Sequence, residues 1–343
     1  MALWLVRAGE RGEYENKFLE ENKIYLTWDH LNRDLRPLTS RDELRTVLQE
    51  VYPGIGIGRL INNSGQIFAF SQRMSIGDWI VVPSKHRPVI HFAEITGAYS
   101  YESNAEDPFF HHRDIEWIAK DIPRSNFDQD LLYSFGAFMT ICKIQRNDAE
   151  SRIRSMAASG WTRSSSVLQP RIDTDNDEPR ETAADLEQIA RDQIARLITA
   201  NFMGHRMANL VDAILQVQGY TTFVSPPGPD KGVDILAAAG NLGFGEPRIC
   251  VQVKSGDSPV DRPTLDQLQG AMQNVQAQQG LLVSWGGFKN SVEREVVSKF
   301  FRIRLWDQDD LIDQILDNYD RLPPEIRTEL PLKRIWTVAA TDA

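Results

Sequence analysis

The chain has 343 residues, 41% hydrophobic and 25% charged, a globular composition that excludes a disordered or fibrous protein and leaves room for two domains. A net charge of −10 and only two cysteines, Cys142 and Cys250, argue against a broadly basic nucleic-acid coat, a disulfide scaffold and a Cys/His zinc module. No apolar run approaches a membrane span, and Ala2–Val6 is too short and too soon followed by Arg7 for a signal peptide, so a cytoplasmic protein with buried, reduced thiols is expected.

In chain order, residues 2–6 read as an opening strand, with Gly9 and Gly12 marking the turn after it. Tyr14–Asn22 is a short helix, and Ile24–Trp28 is a second strand running into Asp29. Thr39–Val51 is helical: Thr39 or Ser40 caps it and Glu43 completes a capping box. Pro53-Gly54 breaks the chain, and 61–74 is assigned to a helix on the clustering of Ile67, Phe68 and Phe70. Trp79–Pro83, Val89–Ile95 and His111–Trp117 are strands. A short helix, Gln129–Tyr133, and a strand, Phe138–Ile144, complete this half. Five or six short strands with small helices predict a mixed α+β barrel.

Three segments of this half carry a resemblance. Trp4-Leu5-Val6-Arg7, Trp28-Asp29 and Ser75-Ile76-Gly77-Asp78-Trp79-Ile80-Val81 are similar in pattern to the PUA-like group, which includes the EVE and YTH domains. The resemblance implies a domain that holds a flipped, often modified, base in an aromatic cage. Such a base is read by stacking and by hydrogen bonds to its edge. Trp28 with Asp29 offers a ring and an acceptor side by side; Trp4, Trp79, Tyr99 and Trp117 are further cage candidates. The alternative reading is that most of these rings are core, Trp28 least of them. Arg7 and Arg124 are candidate phosphate contacts.

Residues 147–156 look helical, while Ser164–Ser166 and Ile172–Thr182 are polar, charged and poor in bulky residues, as linkers are. The division expected is therefore a reader domain over 1–155, a linker over 156–181 and a second domain over 182–343. Thr182–Thr199 and 202–219 are amphipathic helices, the second stopping at Gly219. A Pro/Gly loop, Ser225–Gly232, precedes the strand Val233–Leu236, and Ile249–Lys254 is the next strand. Helices at Asp261–Gln278, Ser291–Phe301 and Asp309–Tyr319 alternate with strands at Gly280–Trp285 and Ile303–Trp306. That alternation predicts an α/β sandwich around a mixed sheet.

Chemistry concentrates on the two adjacent strands. Asp234 sits on one; on the other, Cys250, Gln252 and Lys254 share a face opposite Ile249, Val251 and Val253. A carboxylate and an amide oxygen suit Mg²⁺, and a neighbouring lysine can orient water or stabilise phosphorane-like charge. The same spacing also suits a half-buried hairpin with a wet polar face.

The runs Gly232-Val233-Asp234-Ile235, Gln252-Val253-Lys254 and Leu281-Leu282-Val283-Ser284-Trp285-Gly286-Gly287-Phe288, in this order after a helix, resemble the Mrr-like branch of the PD-(D/E)xK nuclease superfamily, over roughly 200–320. That branch writes the usual E-x-K as Q-x-K. The resemblance implies a restriction-endonuclease-like α/β sandwich that hydrolyses DNA with Mg²⁺ (or Mn²⁺). It also implies Asp234 and Gln252 as metal ligands, and Lys254 as the water-activating or charge-stabilising group. One departure stands out. Where the family carries a Phe-Glu pair on the first helix, this chain has Met207-Ala208. His205, one turn earlier, is the first substitute for that acid and Asp212, one turn later, the second; Asp230 is a weaker candidate in the loop. Together the two resemblances lead to a modification-dependent endonuclease acting on double-stranded DNA as a homodimer. The alternative is a nucleic-acid-binding or regulatory module whose nuclease fold is inactive.

Overall fold

The computed structural model describes residues 1–136, 139–161, 186–226 and 232–336, and the chain divides into two compact units between Ile189 and Ala190. Residues 162–181 of the expected linker lie outside the described residues, as does Asp230, while its first residues continue a helix that runs to Ala158. Among the described residues no helix is long and apolar enough to cross a membrane.

The first unit runs β1 (Leu3–Val6), α1 (Glu15–Glu21), β2 (Lys23–Tyr25), α2 (Arg41–Val51), α3 (Ile57–Phe68), β3 (Trp79–Pro83), β4 (Val89–Ile95), β5 (Ser100–Tyr101), β6 (His111–Pro123), α4 (Gln129–Phe135), β7 (Ile141–Lys143) and α5 (Ala149–Ala158). Its seven strands form one curled, half-barrel sheet in the order β2-β6-β4-β3-β1-β7, with β5 also on β6. Leu3–Leu5 pair in parallel with Trp79–Val81; the other pairings are antiparallel. Period-two alternation sends the two sides of β1 into different cores. Trp4 and Val6 join Phe18, Ile24 and Phe70 on one face, and Leu3 and Leu5 join Trp79, Phe92 and Phe127 on the other. The strand expected from 111 to 117 continues to Pro123, because the polar residues of its second half remain paired with β4.

The second unit runs α6 (Leu186–Phe202), α7 (His205–Val217), β8 (Tyr220–Val224), β9 (Ile235–Ala239), β10 (Arg248–Lys254), α8 (Arg262–Asn274), β11 (Gln279–Ser284), α9 (Asn290–Val297), β12 (Ile303–Trp306), α10 (Gln308–Asn318) and α11 (Pro324–Glu329). The sheet order is β12-β11-β10-β9-β8, parallel from β10 through β12 and antiparallel from β8 through β10. This is the mixed sheet with helical layers that the sequence predicts. On one side α7 and α10 pack Leu210, Ile214 and Ile312 against Ile235, Val251 and Val283. On the other, α8 packs Leu265 and Leu268 against Cys250 and Leu282. β8, which the sequence reading passed over, is one edge; its Phe223 is exposed, and the chain leaves it through Ser225-Pro226.

Candidate active site

Everything at this site hangs from the junction of β9 and β10. Val251 lies opposite Ile235, and the N–H of Asp234 donates to the Val251 carbonyl at 2.9 Å. Asp234 Oδ2 then accepts from the backbone N–H of Val253 at 2.7 Å. The carboxylate is thereby held against the residue between Gln252 and Lys254. Alternation along β10 has the form expected: Ile249, Val251 and Val253 pack with the α7 layer, Cys250 with the α8 layer.

Gln252 is 1% exposed and its Oε1 has no hydrogen-bond partner among the described residues. Burying a neutral acceptor without a partner costs about 1–3 kcal/mol, so this oxygen suits a cation. Gly232, at φ +82°, lets the loop pass beside it, since a Cβ there would stand 3.3 Å from Gln252 Nε2. The Cys250 thiol is pushed up to about 11, first by burial and then by the Asp234 charge, which makes it an inert neighbour.

Lys254 lies beside Ser284 of β11 and is half-buried. It lines an open pocket of about 460 Å³ with Ser255, Ser258, Asp261 and Thr264. The start of α7 is tied to the same place: the N–H of Gly204, its N-cap, donates to Ser255 Oγ at 3.0 Å. His205 follows, exposed. Ala208 is 1% exposed among Met207, Leu210 and Val251, in the apolar layer. Asp212 lies about 12 Å along the helix from Gly204 at 1.5 Å per residue. Its Oδ2 accepts from Gln216, which also donates to Thr222, opposite Ala237 of β9. Asp212 Oδ2 is thus engaged toward β8, while its Oδ1 is buried with no hydrogen-bond partner among the described residues; His205 directly follows the N-cap that is tied to Ser255.

The donor set is oxygen-based: the Asp234 carboxylate and Gln252 Oε1. Among the described residues no group of three or more His, Cys, Asp or Glu side chains could hold a metal ion. A hard divalent cation such as Mg²⁺ fits two protein oxygens, because it keeps several waters and takes further ligands from phosphate. Ser255 was passed over by motif reading; its signal is a polar Ser-Gly-Asp-Ser turn directly after the Q-x-K lysine.

In the first unit, the six cage candidates do not form one cluster. Trp4 is core, 5% exposed, with its indole N–H donating to Asp78 Oδ2 at 3.0 Å. Trp79 is 8% exposed on the opposite face of the sheet; its N–H donates to Glu94 at 3.2 Å and the Arg154 guanidinium covers its ring at 4.3 Å. Neither offers a face for stacking a base. Tyr99 stacks on His111 at 5.8 Å, and its hydroxyl meets His111 Nδ1 at 2.7 Å. Trp117 packs edge-on to His91 beneath Lys120. Trp28 and Asp29 remain together: the ring is half-buried, the carboxylate exposed, and Tyr52 donates to the Asp29 carbonyl at 2.6 Å. Burial, then the charges of Asp29, Glu13 and Asp107, raise the Tyr14 phenol. Arg7 and Arg124 are both buried, which corrects their reading as surface phosphate contacts.

Residues 4–137 match the model of a domain of unknown function, DUF8426. No curated protein sequence matches the chain. Among solved structures, the chain is similar to the DNA modification-dependent restriction endonuclease AspBHI, at 14% identity and a TM-score of 0.33, over 82% of this chain and 76% of that one. It is also similar to the MspJI restriction endonuclease in complex with a 27-mer oligonucleotide, at 14% identity and a TM-score of 0.32, over 74% of this chain and 64% of that one. Residues 199–315 match the model of a restriction endonuclease family, the Mrr catalytic domain, and this part of the chain therefore belongs to the Mrr-type restriction endonucleases.

Proposed function

We propose that the chain is a Mg²⁺- or Mn²⁺-dependent DNA endonuclease whose first unit chooses the DNA by reading a modified base. The reader domain spans about 1–155 and the nuclease domain 182–343. The observation that carries the catalytic reading is the hydrogen bond from Val253 N–H to Asp234 Oδ2, which sets the acid beside Gln252 and Lys254. A bound metal supplies charge neutralisation at the scissile phosphate and lowers the pKa of a water. Asp234 and Gln252 hold it. Lys254, in the pocket next to them, orients the attacking water or offsets the charge that builds on the phosphoryl oxygens. One such centre cuts one strand, so a double-strand break takes two copies meeting on the duplex.

The reader role is supported by the PUA-like pattern and by Trp28 and Asp29, a half-exposed ring beside an exposed carboxylate. The test is digestion of a panel of DNAs carrying different cytosine and adenine modifications, with Mg²⁺ or Mn²⁺ supplied. Cutting confined to modified duplexes supports the assignment, and equal cutting of plain DNA removes the reader role. A second reading, a nuclease fold without activity, is favoured by one observation: the helix position of the family acid is the buried Ala208. Failure to cut any member of the panel with either metal selects it.

A further inference from the structure

We propose that the open pocket beside Lys254 is a subsite for a phosphodiester of the DNA backbone, one next to the phosphate that is cut, held by the hydroxyls of Ser255 and Ser258 together with the Lys254 ammonium. This rests on Asp234, Gln252 and Lys254 being the nuclease centre. The pocket adjoins that centre through one residue. Val253 lines it, and the Val253 N–H is the donor that fixes Asp234 Oδ2. Phosphate oxygens of DNA are taken by hydroxyls, backbone N–H groups and cations, and a groove of that chemistry beside a cutting site suits the backbone as it continues past the cut.

The lining is a set of donors without acceptors of their own. Lys254 is half-buried and meets no carboxylate among the described residues. Ser255 Oγ accepts from the Gly204 N–H at 3.0 Å, which leaves the hydroxyl proton to donate elsewhere. The Ser258 hydroxyl has no partner among the described residues, nor have the backbone N–H groups of Gly256 and Ser258. Asp261 is the acid of the lining, and its Oδ1 takes a 3.3 Å contact from Thr264 Oγ1. Lys254 and Asp261 balance in charge, so the pocket suits a singly charged diester better than a doubly charged phosphate ion.

The walls are set before DNA arrives. Ser284, fully buried opposite Lys254 on β11, donates its hydroxyl to the Gly287 carbonyl at 2.7 Å. Val260 N–H donates to the same carbonyl at 2.9 Å, and Lys289 N–H donates back to Val260 at 3.0 Å. Gly286 permits the close approach, because a Cβ there would lie 2.5 Å from the Asp257 carbonyl carbon. The loop after β11 thus clamps the loop after β10. Ser255 and Ser258 are presented on a fixed turn, and binding does not have to order it. The pocket volume, about 460 Å³, exceeds what one phosphate group fills and leaves room for the strand to enter and leave.

The experiment uses the full chain and a duplex that the parent cuts. Binding is read by fluorescence anisotropy without metal, and Mn²⁺ affinity by titration calorimetry. A single methylphosphonate, which removes one backbone charge, replaces each phosphate around the cut in turn. The variant is Ser258→Ala, an exposed position whose hydroxyl holds nothing else among the described residues. The expected result is that Ser258→Ala binds the duplex about tenfold more weakly at parent-like Mn²⁺ affinity, as the loss of a hydrogen bond to a charged group does. One methylphosphonate next to the cut phosphate weakens the parent to a similar degree and the variant far less, because both changes remove the same contact. Parent-like binding by Ser258→Ala overturns the subsite and leaves the nuclease centre standing. An equal effect of every methylphosphonate on parent and variant also overturns it, since the hydroxyl then acts elsewhere. Weaker Mn²⁺ binding by the variant does the same, because the residue would then serve the metal. Should the parent cut no duplex with Mg²⁺ or Mn²⁺, the centre itself falls, and this inference with it.

Discussion

Gln252 is the residue on which the chemistry and the stability of the nuclease unit meet. Its buried, unpartnered Oε1 is a cost in the protein alone and, on the proposed function, a ligand when a cation is present. Gln252→Glu is therefore expected to act in opposite directions. Without metal, the buried carboxylate lowers the Tm; with Mn²⁺, the added charge enlarges the metal-induced rise in Tm beyond that of the parent. Differential scanning calorimetry with and without Mn²⁺ checks both, and equal metal-induced shifts in the two proteins would remove Gln252 from the ligand set. Asp234→Ala and Lys254→Ala are each expected to abolish cutting while leaving the far-ultraviolet circular dichroism of the parent. If either cuts like the parent, the assignment of the site is wrong.

In the first unit the buried His111 carries a pH dependence. His111 is fully buried, one ring nitrogen against the Leu31 carbonyl at 2.6 Å and the other against the Tyr99 hydroxyl. Burial holds its imidazole down to about 4. The folded form therefore binds its proton less readily than the unfolded chain, whose histidine titrates near 6.5. Stability from this residue is complete above about pH 6.5 and is lost as the pH falls toward 4. Thermal melts of His111→Gln over that range should show a flatter pH dependence than the parent; parallel curves would assign the loss to other groups.

At the level of elements, the strands β10, β11 and β12 and the placement of Gln252-Val253-Lys254 on β10 were legible because apolar alternation and motif order agree there, whereas Asp234, expected on a strand from Val233 to Leu236, lies just before β9, which starts at Ile235. β8 was not legible. Tyr220-Thr221-Thr222-Phe223-Val224 follows Gly219 directly and none of its residues is fully buried, so no apolar face marks it. The start of α3 at Ile57 was masked by the glycines around it and by the exposure of Ile57 and Ile61. The expected capping box on α2 is half right: Glu43 N–H donates to Ser40 Oγ, but the Glu43 carboxylate accepts from Thr39 N–H instead of closing on Ser40. A full box occurs at α10, where Asp307 and Asp310 each accept from the other's backbone N–H. Burial, against the bond from Asp310 N–H and with the nearby Asp310 and Asp309 charges, pushes the Asp307 carboxyl up to about 6. A raised acid contributes stability that is whole below its unfolded value near 3.9 and is lost as the pH rises through 6. Asp307→Asn keeps the cap and is expected to flatten the melting curve between pH 4 and 6. An unchanged slope would show that other groups set it.

For the molecule as a whole, the proposed function together with the two compact units implies that recognition and cutting can be parted. A chain beginning near Thr182 retains both layers of apolar packing around the nuclease sheet. It is expected to cut modified and plain DNA alike, while Trp28→Ala in the intact chain lowers cutting of modified DNA and spares Mn²⁺ binding. Flipping a base costs a few kcal/mol and a ring returns about 1–3 kcal/mol by stacking, so choice among bases must come from polar contacts such as Asp29. Should the truncated chain keep the parent's preference, the reader assignment falls. The aromatic richness of the first half was legible in the sequence, but not which rings were free to stack. Trp4 and Trp79 are adjacent to the same strand pairing, yet one packs inward and the other on the far face, a difference that only sheet register fixes.

The way β8 ends bears on how the protein behaves at high concentration. A strand at the edge of a sheet is a template on which another chain's strand can add, and here it carries the exposed Phe223. Proline donates no hydrogen bond to a ladder. Pro226, two residues past the end of β8, stops such added pairing after a few residues. The other edge, β12, turns the charged Arg304 outward. These are the features of a sheet protected against self-templated aggregation, and Pro226→Ala is the change that would remove that protection at one edge.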